Sequence, residues 1–363
     1  MQNTKKNNKR IGLLNFHYAD NYGAVIQAWA LLKVLNSING INAEIINYVP
    51  YGYSYSVAEE EASVVSKRRE KFQKFLVEQC LINTPMIHSV IGNNYDLYCV
   101  GSDQVWNTDL PEVKADYEYF LPHIDKEAKR ITYAASIAKN ISDEDLTLFK
   151  QYIPFFSAIS LREESARNIV EEIYGRKCTH VLDPTLLLKS ENYTEITACK
   201  KSKKPYLLYF FYKVNDDNLS GLGLANYLSR KYDLEIVHPF IREDCLERRL
   251  LSNDGECFWD YGIEEILGAI KDAEVIVTNS YHALTLSVML ERPVYIVPPR
   301  SMASRQIDFA KSIGIENRIV DGYLNPQEIN INMDYSDIRE VLKVKREYSL
   351  NWLKHTIKQI LVD

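Results

Sequence analysis

Short apolar runs of strand length alternate along this chain with stretches of helical period, and this alternation restricts its fold more than any other feature. In the first half the runs are Ile11 to Phe16, Glu44 to Tyr48, Leu97 to Val100, Ile131 to Ala134, Ala158 to Leu161 and Val181 to Leu182. Runs that are apolar throughout belong to strands covered on both faces, as in a parallel sheet layered by helices. The covering helices are also legible. Ala24 to Ile38 sets Val25, Ala28, Trp29, Leu32 and Leu35 on one face, and Glu163 to Tyr174 does the same with Ala166, Ile169, Val170 and Ile173. The polar Lys200 to Lys204 and Pro205 then break the rhythm. A second set follows, with strands at Tyr206 to Tyr212, Glu235 to Val237, Glu274 to Thr278 and Val294 to Val297. Its helices are placed near Leu219 to Lys231, Ile263 to Lys271, Leu284 to Leu290 and Arg305 to Ile313.

The expectation is an α/β protein of two Rossmann-like lobes, residues 1–199 and 205–335, with a C-terminal helix in 336–363 packing back across them. A chain of 363 residues has enough apolar material for two cores, and a ligand would sit in the cleft between the lobes. Ser54 to Lys71, rich in charge, reads as a mobile loop.

A formal charge of −6 with scattered Lys and Arg argues against a nucleic-acid partner. The run Ile11 to Phe16 is shorter than a signal-peptide core, and no stretch approaches the ~20 apolar residues of a membrane span. A cytoplasmic protein is expected, with peripheral membrane association still open. Its six cysteines are far apart and form no C-x-x-C pair, which suits reduced core thiols rather than disulfides or zinc.

Ligands of open α/β sheets collect at the carboxyl ends of strands, so the strand exits are the places to look. The first exit carries His17, Asn21, Tyr22 and Gly23, and Gln27 follows on the helix. The third offers Gly101, Ser102, Asp103, Gln104, Trp106 and Asn107, a set that suits a sugar or a phosphate. The fifth offers Arg162, able to fork onto a carboxylate or phosphate, and Glu163, either a helix-start carboxylate or a pin for the guanidinium. In the second half, Ser280, Tyr281 and His282 stand at the start of an apolar helix, where an anion would be held and a histidine could move a proton. Taken singly each has a plain structural reading: Trp106 as core, Arg162 as a salt-bridge partner, His282 as a hydrogen-bonder. The dinucleotide and Walker A fingerprints and the nucleophile elbow are absent, and Asp143 and Asp145 after Ser142 read as helix capping.

Read in order, NFHYADNYGAVIQAWAL (Asn15 to Leu31), VGSDQVWN (Val100 to Asn107), YAASIA (Tyr133 to Ala138), SLREESA (Ser160 to Ala166), VLDPTLLL (Val181 to Leu188), TNSYHALTLSVMLERP (Thr278 to Pro293) and the Arg305 to Arg318 stretch resemble the polysaccharide pyruvyl transferase family. The resemblance implies a GT-B-type fold with the site between the lobes. It also implies transfer of pyruvate from phosphoenolpyruvate, as donor substrate and without a cofactor or metal, to a sugar, whether free or lipid-linked, during capsule or exopolysaccharide assembly. It implies a donor gripped by an arginine of an R-E element, here Arg162 and Glu163, and by an R-x-H element. The second element reads Ser280, Tyr281, His282, so serine replaces the arginine and Arg305 is the candidate for the missing cation. His282 is then the acid or the phosphate-leaving group's partner, and Asp103 the base. Asn21, Tyr22, Gln27, Gln104, Trp106 and Asn107 would line the acceptor side, and His17, Gly23 and Ser102 are further substrate-binding candidates. A nucleotide-sugar glycosyltransferase on the same fold, or an inactive family member, stands as the alternative.

Overall fold

Burial along the strands is continuous, as the apolar runs require. In the computed structural model, which describes residues 8–51, 53, 62–82, 84–88, 90–198, 204–211, 219–239, 260–299, 303–320 and 328–362, every residue of Leu97–Val100, Tyr206–Phe210 and Val275–Thr278 is buried. The chain divides into two compact units. Unit 1 comprises Met1–Ser56, Lys74–Leu188 and Val344–Asp363, and unit 2 comprises Val57–Gln73 and Lys189–Lys343.

In unit 1, strands β1 (Lys9–Leu14), β2 (Ile41–Ile45), β3 (Leu97–Val100) and β4 (Arg130–Thr132) form a parallel sheet in the order β2-β1-β3-β4. Single bridges from Ile131 to Ala158 and from Ala135 to Leu161 carry it on toward β5 (Ser160–Leu161), which pairs with β6 (Thr179–His180). Because β2 and β3 lie on opposite sides of β1, the winding reverses there, and the crevice at the carboxyl ends of β1 and β3 is where such a sheet takes its ligands.

Helix α1 (Tyr22–Asn36) is apolar on all sides and correspondingly buried on all sides except at Lys33 and Asn36. Helix α2 (Ala62–Gln79) is divided, its residues up to Gln73 belonging to unit 2 and those from Lys74 to unit 1; α3 (Pro111–Lys114), α4 (Asp143–Tyr152) and α5 (Arg167–Tyr174) complete the set before Leu188. At α4 the capping reading holds: the Ser142 hydroxyl accepts the Asp145 N–H while the Asp145 carboxylate accepts the Ser142 N–H.

In unit 2, α6 (Ser190–Thr194) precedes β7 (Tyr206–Phe210), α7 (Leu219–Tyr232), β8 (Glu235–Val237), α8 (Ile263–Asp272), β9 (Val275–Thr278), α9 (Tyr281–Met289), β10 (Val294–Ile296) and α10 (Ala303–Ser312). The strands are parallel in the order β10-β9-β7-β8, so β7 and β9 repeat the reversal of β1 and β3. The last helix, α11, runs Ser336–Val362. Its part from Val344 belongs to unit 1, where Arg346 donates to the Leu186 carbonyl at 2.7 Å and the Ser349 hydroxyl accepts the Leu182 N–H at 3.0 Å. The Trp352 ring lies 6.2 Å from that of Tyr133.

Three expectations need correction. The stretch Ser54 to Lys71 is not a loop throughout: it is helical from Ala62, because Phe72, Phe75 and Leu76 one turn further on bury one face and draw the charged turn before them into the same helix. Residues 54–61 lie outside the described residues. Helix α5 starts at Arg167 rather than at Glu163, so Glu163 is not a helix-start carboxylate. The sixth strand pairs at Thr179–His180, and Val181 and Leu182 are its buried exit. Of the expected core thiols, Cys80, Cys99 and Cys178 are free and buried, while Cys199, Cys245 and Cys257, like most of the Lys200 to Lys204 break and Tyr212, lie outside the described residues. Among the described residues no helix is long and apolar enough to cross a membrane.

Candidate functional site

The exits of β3, β4, β5 and β6 converge on one buried guanidinium. Gly101 permits the approach of β3 to β1: a Cβ there would stand 3.2 Å from the Leu13 side chain and 3.3 Å from Asn15 Cβ. Asp103 follows with φ of 82°, a left-handed backbone that favours glycine, and its own carboxylate accepts the Gln104 N–H at 2.9 Å. Ala134 and Ala138 beyond β4, both at φ 54°, are strained in the same way. Such strain gathers at functional sites.

Arg162, with a side chain only 2% exposed, donates to Asp183 at 3.0 Å and lies 3.7 Å from both Asp103 and Glu163. Asp183 also accepts the Ser102 hydroxyl at 3.0 Å, the Thr185 N–H at 2.9 Å and the Thr185 hydroxyl at 2.7 Å. The Ser136 hydroxyl donates to Glu163, and its N–H donates to the Asp103 carbonyl at 2.9 Å. His180 Nε2 donates to the Arg162 carbonyl at 3.0 Å. Three carboxylates therefore share one guanidinium out of water. A buried charge persists only when paired and hydrogen-bonded, so this network fixes the relative positions of four strand exits.

The structure thus brings Ser102, Asp103, Arg162 and Glu163 together and adds Asp183, Ser136 and Thr185, to which sequence reasoning assigned no role. The signal for Asp183 was an acid followed by proline at a strand exit inside an aliphatic run. Arg162 is expected to meet a donor, and its firm contact here is to Asp183.

Among the other unit 1 candidates, Asn21 and Gln104 are half-buried and the rest are buried. Trp106 is fully buried, stacked 5.7 Å from Phe120 and edge-on to Phe156 at 5.6 Å, with its indole N–H donated to the Tyr119 carbonyl; it is core and not a sugar platform. Gln27 is fully buried and donates to the Ala24 carbonyl, and Tyr22 and Gly23 are buried in the first turn of α1. Asn21 caps that helix by accepting the Ala24 N–H. His17 is buried with Nε2 3.1 Å from Asn47 Oδ1 and Nδ1 3.4 Å from the Asn15 carbonyl; burial pulls its pKa below the usual value despite those two contacts. Gln104 and Asn107 are tied together at 2.8 Å. Away from the exits, burial together with the nearby Asp116 pushes the Glu118 carboxyl up to about 7, against one opposing backbone hydrogen bond from Ile91.

In unit 2 the β9 exit runs almost directly into α9. The Ser280 N–H donates to Thr278 Oγ1 at 2.9 Å, Thr278 donates to the Phe210 carbonyl at 2.7 Å, and the Ser280 hydroxyl accepts the Ala283 N–H. Serine, where the resemblance implies an arginine, is therefore the N-cap of this helix. His282 is half-buried in the first turn beside the Tyr281 ring. From α10, Arg305 places its guanidinium 6.0 Å from the Tyr281 ring centre, and Gln306 donates to the Asn279 carbonyl at 3.1 Å. Ser280, Tyr281, His282 and Arg305 thus come together at the positive end of a helix, a setting suited to an anion.

Among solved structures the chain is similar in fold to Staphylococcus aureus MnaA bound to UDP, with a TM-score of 0.51 and 11% identity over 94% of this chain and 90% of that one. It is also similar to the UDP-GlcNAc 2-epimerase of Neisseria meningitidis bound to UDP-GlcNAc (TM-score 0.50, 12% identity, 98% and 99% covered). The UDP-N-acetylglucosamine 2-epimerase of Rickettsia bellii is a further neighbour (0.50, 10%, 98% and 96%). These likenesses establish the fold, that of the α/β GT-B glycosyltransferases and epimerases with parallel sheets. No curated protein matches the sequence. The profile of the family described as polysaccharide pyruvyl transferase matches residues 21–301, a span that takes in every candidate residue named above except His17 and Arg305. The chain belongs to the polysaccharide pyruvyl transferase family.

Proposed function

We propose that this protein transfers the pyruvyl group of phosphoenolpyruvate to a sugar as a cyclic ketal, in the assembly of a capsular or extracellular polysaccharide. The family match over residues 21–301 carries the reading, and the two sets of residues suit its chemistry. Both sugar oxygens bond to the central carbon of the pyruvyl unit and its bond to phosphate oxygen breaks. Of the two hydroxyl protons released, one ends on the methylene carbon, making it a methyl, and the other leaves with phosphate. The donor is anionic at both ends, which suits Arg305 and the start of α9 with Ser280, Tyr281 and His282. His282 delivers a proton, and Asp103, held by Arg162, takes one from the acceptor. In this assignment Arg162 with Glu163 sets the site's shape and charge.

The test is a thermal melt with phosphoenolpyruvate and with UDP-sugars, followed by phosphate release and product mass against lipid-linked galactosides and mannosamine-containing acceptors. Stabilisation by phosphoenolpyruvate alone and a pyruvylated product support the reading. Stabilisation by a UDP-sugar and not by phosphoenolpyruvate would replace it with a nucleotide-sugar transferase, and binding of neither would point to an inactive member.

A further inference from the structure

At the start of α4, unit 1 holds a cavity of about 160 Å³. Part of its lining is a polar network. Asp145, buried, accepts the Ser142 N–H at 2.8 Å and the hydroxyl of Thr108, and Lys139 Nζ stands 3.0 Å from Asp145, 3.1 Å from Thr108 Oγ1 and 2.5 Å from Asp109. The rim adds exposed Lys114 and Glu144, and half-buried Tyr117 and Leu148 give it an apolar side.

The chemistry of this lining selects a ligand class. Three carboxylates face two ammonium groups, so a phosphate meets net repulsion and a free cation meets Lys114 and Lys139. The lining holds acceptors (Asp109, Glu144, Asp145), donors (Lys114, Lys139) and two hydroxyls (Thr108, Ser142), beside one aromatic ring and one aliphatic side chain. A pyranose ring, with hydroxyls that both donate and accept and C–H faces between them, can use all of these groups. At about 30 Å³ per water the space equals roughly five waters, the size of one sugar ring. The cavity also shares a loop with the candidate site. Gln104 and Asn107 are bonded at 2.8 Å, and the Asp109 N–H donates to Asn107 at 3.1 Å, so the segment from Asp103 to Asp109 is held in one shape. Thr108 is five residues from Asp103, hence no more than about 17 Å away.

We propose that this cavity is a subsite for one neutral monosaccharide unit of the acceptor glycan, apart from the unit that is pyruvylated. The inference rests on the acceptor being a sugar. Saturation-transfer NMR on the full-length protein with methyl β-D-galactopyranoside and methyl N-acetyl-β-D-mannosaminide tests it, comparing wild type with Lys114→Ala and Glu144→Ala. Both side chains are exposed, so neither change should move the melting temperature. At least one glycoside should show transfer to wild type, and each variant should weaken it about tenfold, the effect of one lost charged hydrogen bond. No transfer in wild type, or transfer unaltered in both variants, overturns the subsite. The melting shift with phosphoenolpyruvate, taken on the same samples, separates the two readings. If that shift is missing while glycoside transfer depends on Lys114 and Glu144, the donor assignment falls and the subsite stands; the reverse result removes the subsite alone.

Discussion

The two units use one strand order for opposite electrostatic ends. In each, the first strand of the sheet lies between the second and the third, and chemistry-bearing residues sit at the exit of the third, joined in unit 1 by residues from the exits of β4, β5 and β6. The β3 exit of unit 1 turns through a left-handed Asp103 into a network with three carboxylates and one guanidinium. The β9 exit of unit 2 goes through a serine cap into α9, with a histidine and an arginine beside the helix start. A shared frame therefore says where chemistry will be and nothing about its sign. The side chains at the exit set the sign: unit 1 accumulates buried negative charge, suited to taking a proton, and unit 2 presents positive potential, suited to an anion.

The sharpest break in this comparison is His282→Asn. His282 is half-buried in the first turn of α9, and the variant should keep its melting temperature and its phosphoenolpyruvate affinity while single-turnover rates drop by about 10² to 10⁴. A folded variant with full turnover would take proton transfer away from unit 2. The opposite pattern is expected for Asp183→Asn. Removing the firm partner of Arg162 leaves a buried guanidinium between two looser carboxylates, and urea unfolding should show a loss of about 3 kcal/mol. A loss near zero would mean that the unit 1 network is not the organising element described.

Two smaller effects, both in unit 1, depend on pH with opposite sign. Glu118 has a folded pKa of about 7, above its ordinary 4.5, so the native state binds the extra proton between those values and loses stability as pH rises through that window. Glu118→Gln should accordingly be the more stable protein at pH 8, by on the order of 2 kcal/mol, and nearly equal to wild type at pH 4. His17 is shifted below 6.5, so the unfolded chain takes up its proton first and stability falls as pH drops below about 6.5. His17→Asn should flatten that part of the melting-temperature profile. An unchanged slope would show that the imidazole is not buried neutral.

Much of the fold was legible because it is written locally. Apolar runs located strands to within a few residues, and Ser142 with Asp145 announced a helix start. What failed was what depends on distant partners. Trp106 follows a polar exit in sequence and turns inward because Phe120, Phe149 and Phe156, contributed by later segments, complete a ring cluster around it. Arg162 was readable as a cation that needs anions, but Asp183 lies 21 residues on, and the Ser102 clasp that fixes Asp183 spans 81 residues. The α2 helix was missed because its charged turn masks the period that Phe72, Phe75 and Leu76 supply.

The split membership of α11 has a consequence for biosynthesis. The residues from Val344 onward are made after Lys189–Lys343, yet Ser349 satisfies the Leu182 N–H and Arg346 donates to the Leu186 carbonyl on the turn that carries Asp183. Unit 1 therefore gains these contacts only after the Lys189–Lys343 segment of unit 2 has been made. A product stalled before Val344 would thus hold every segment of unit 2 while unit 1 still lacked the Ser349 and Arg346 contacts.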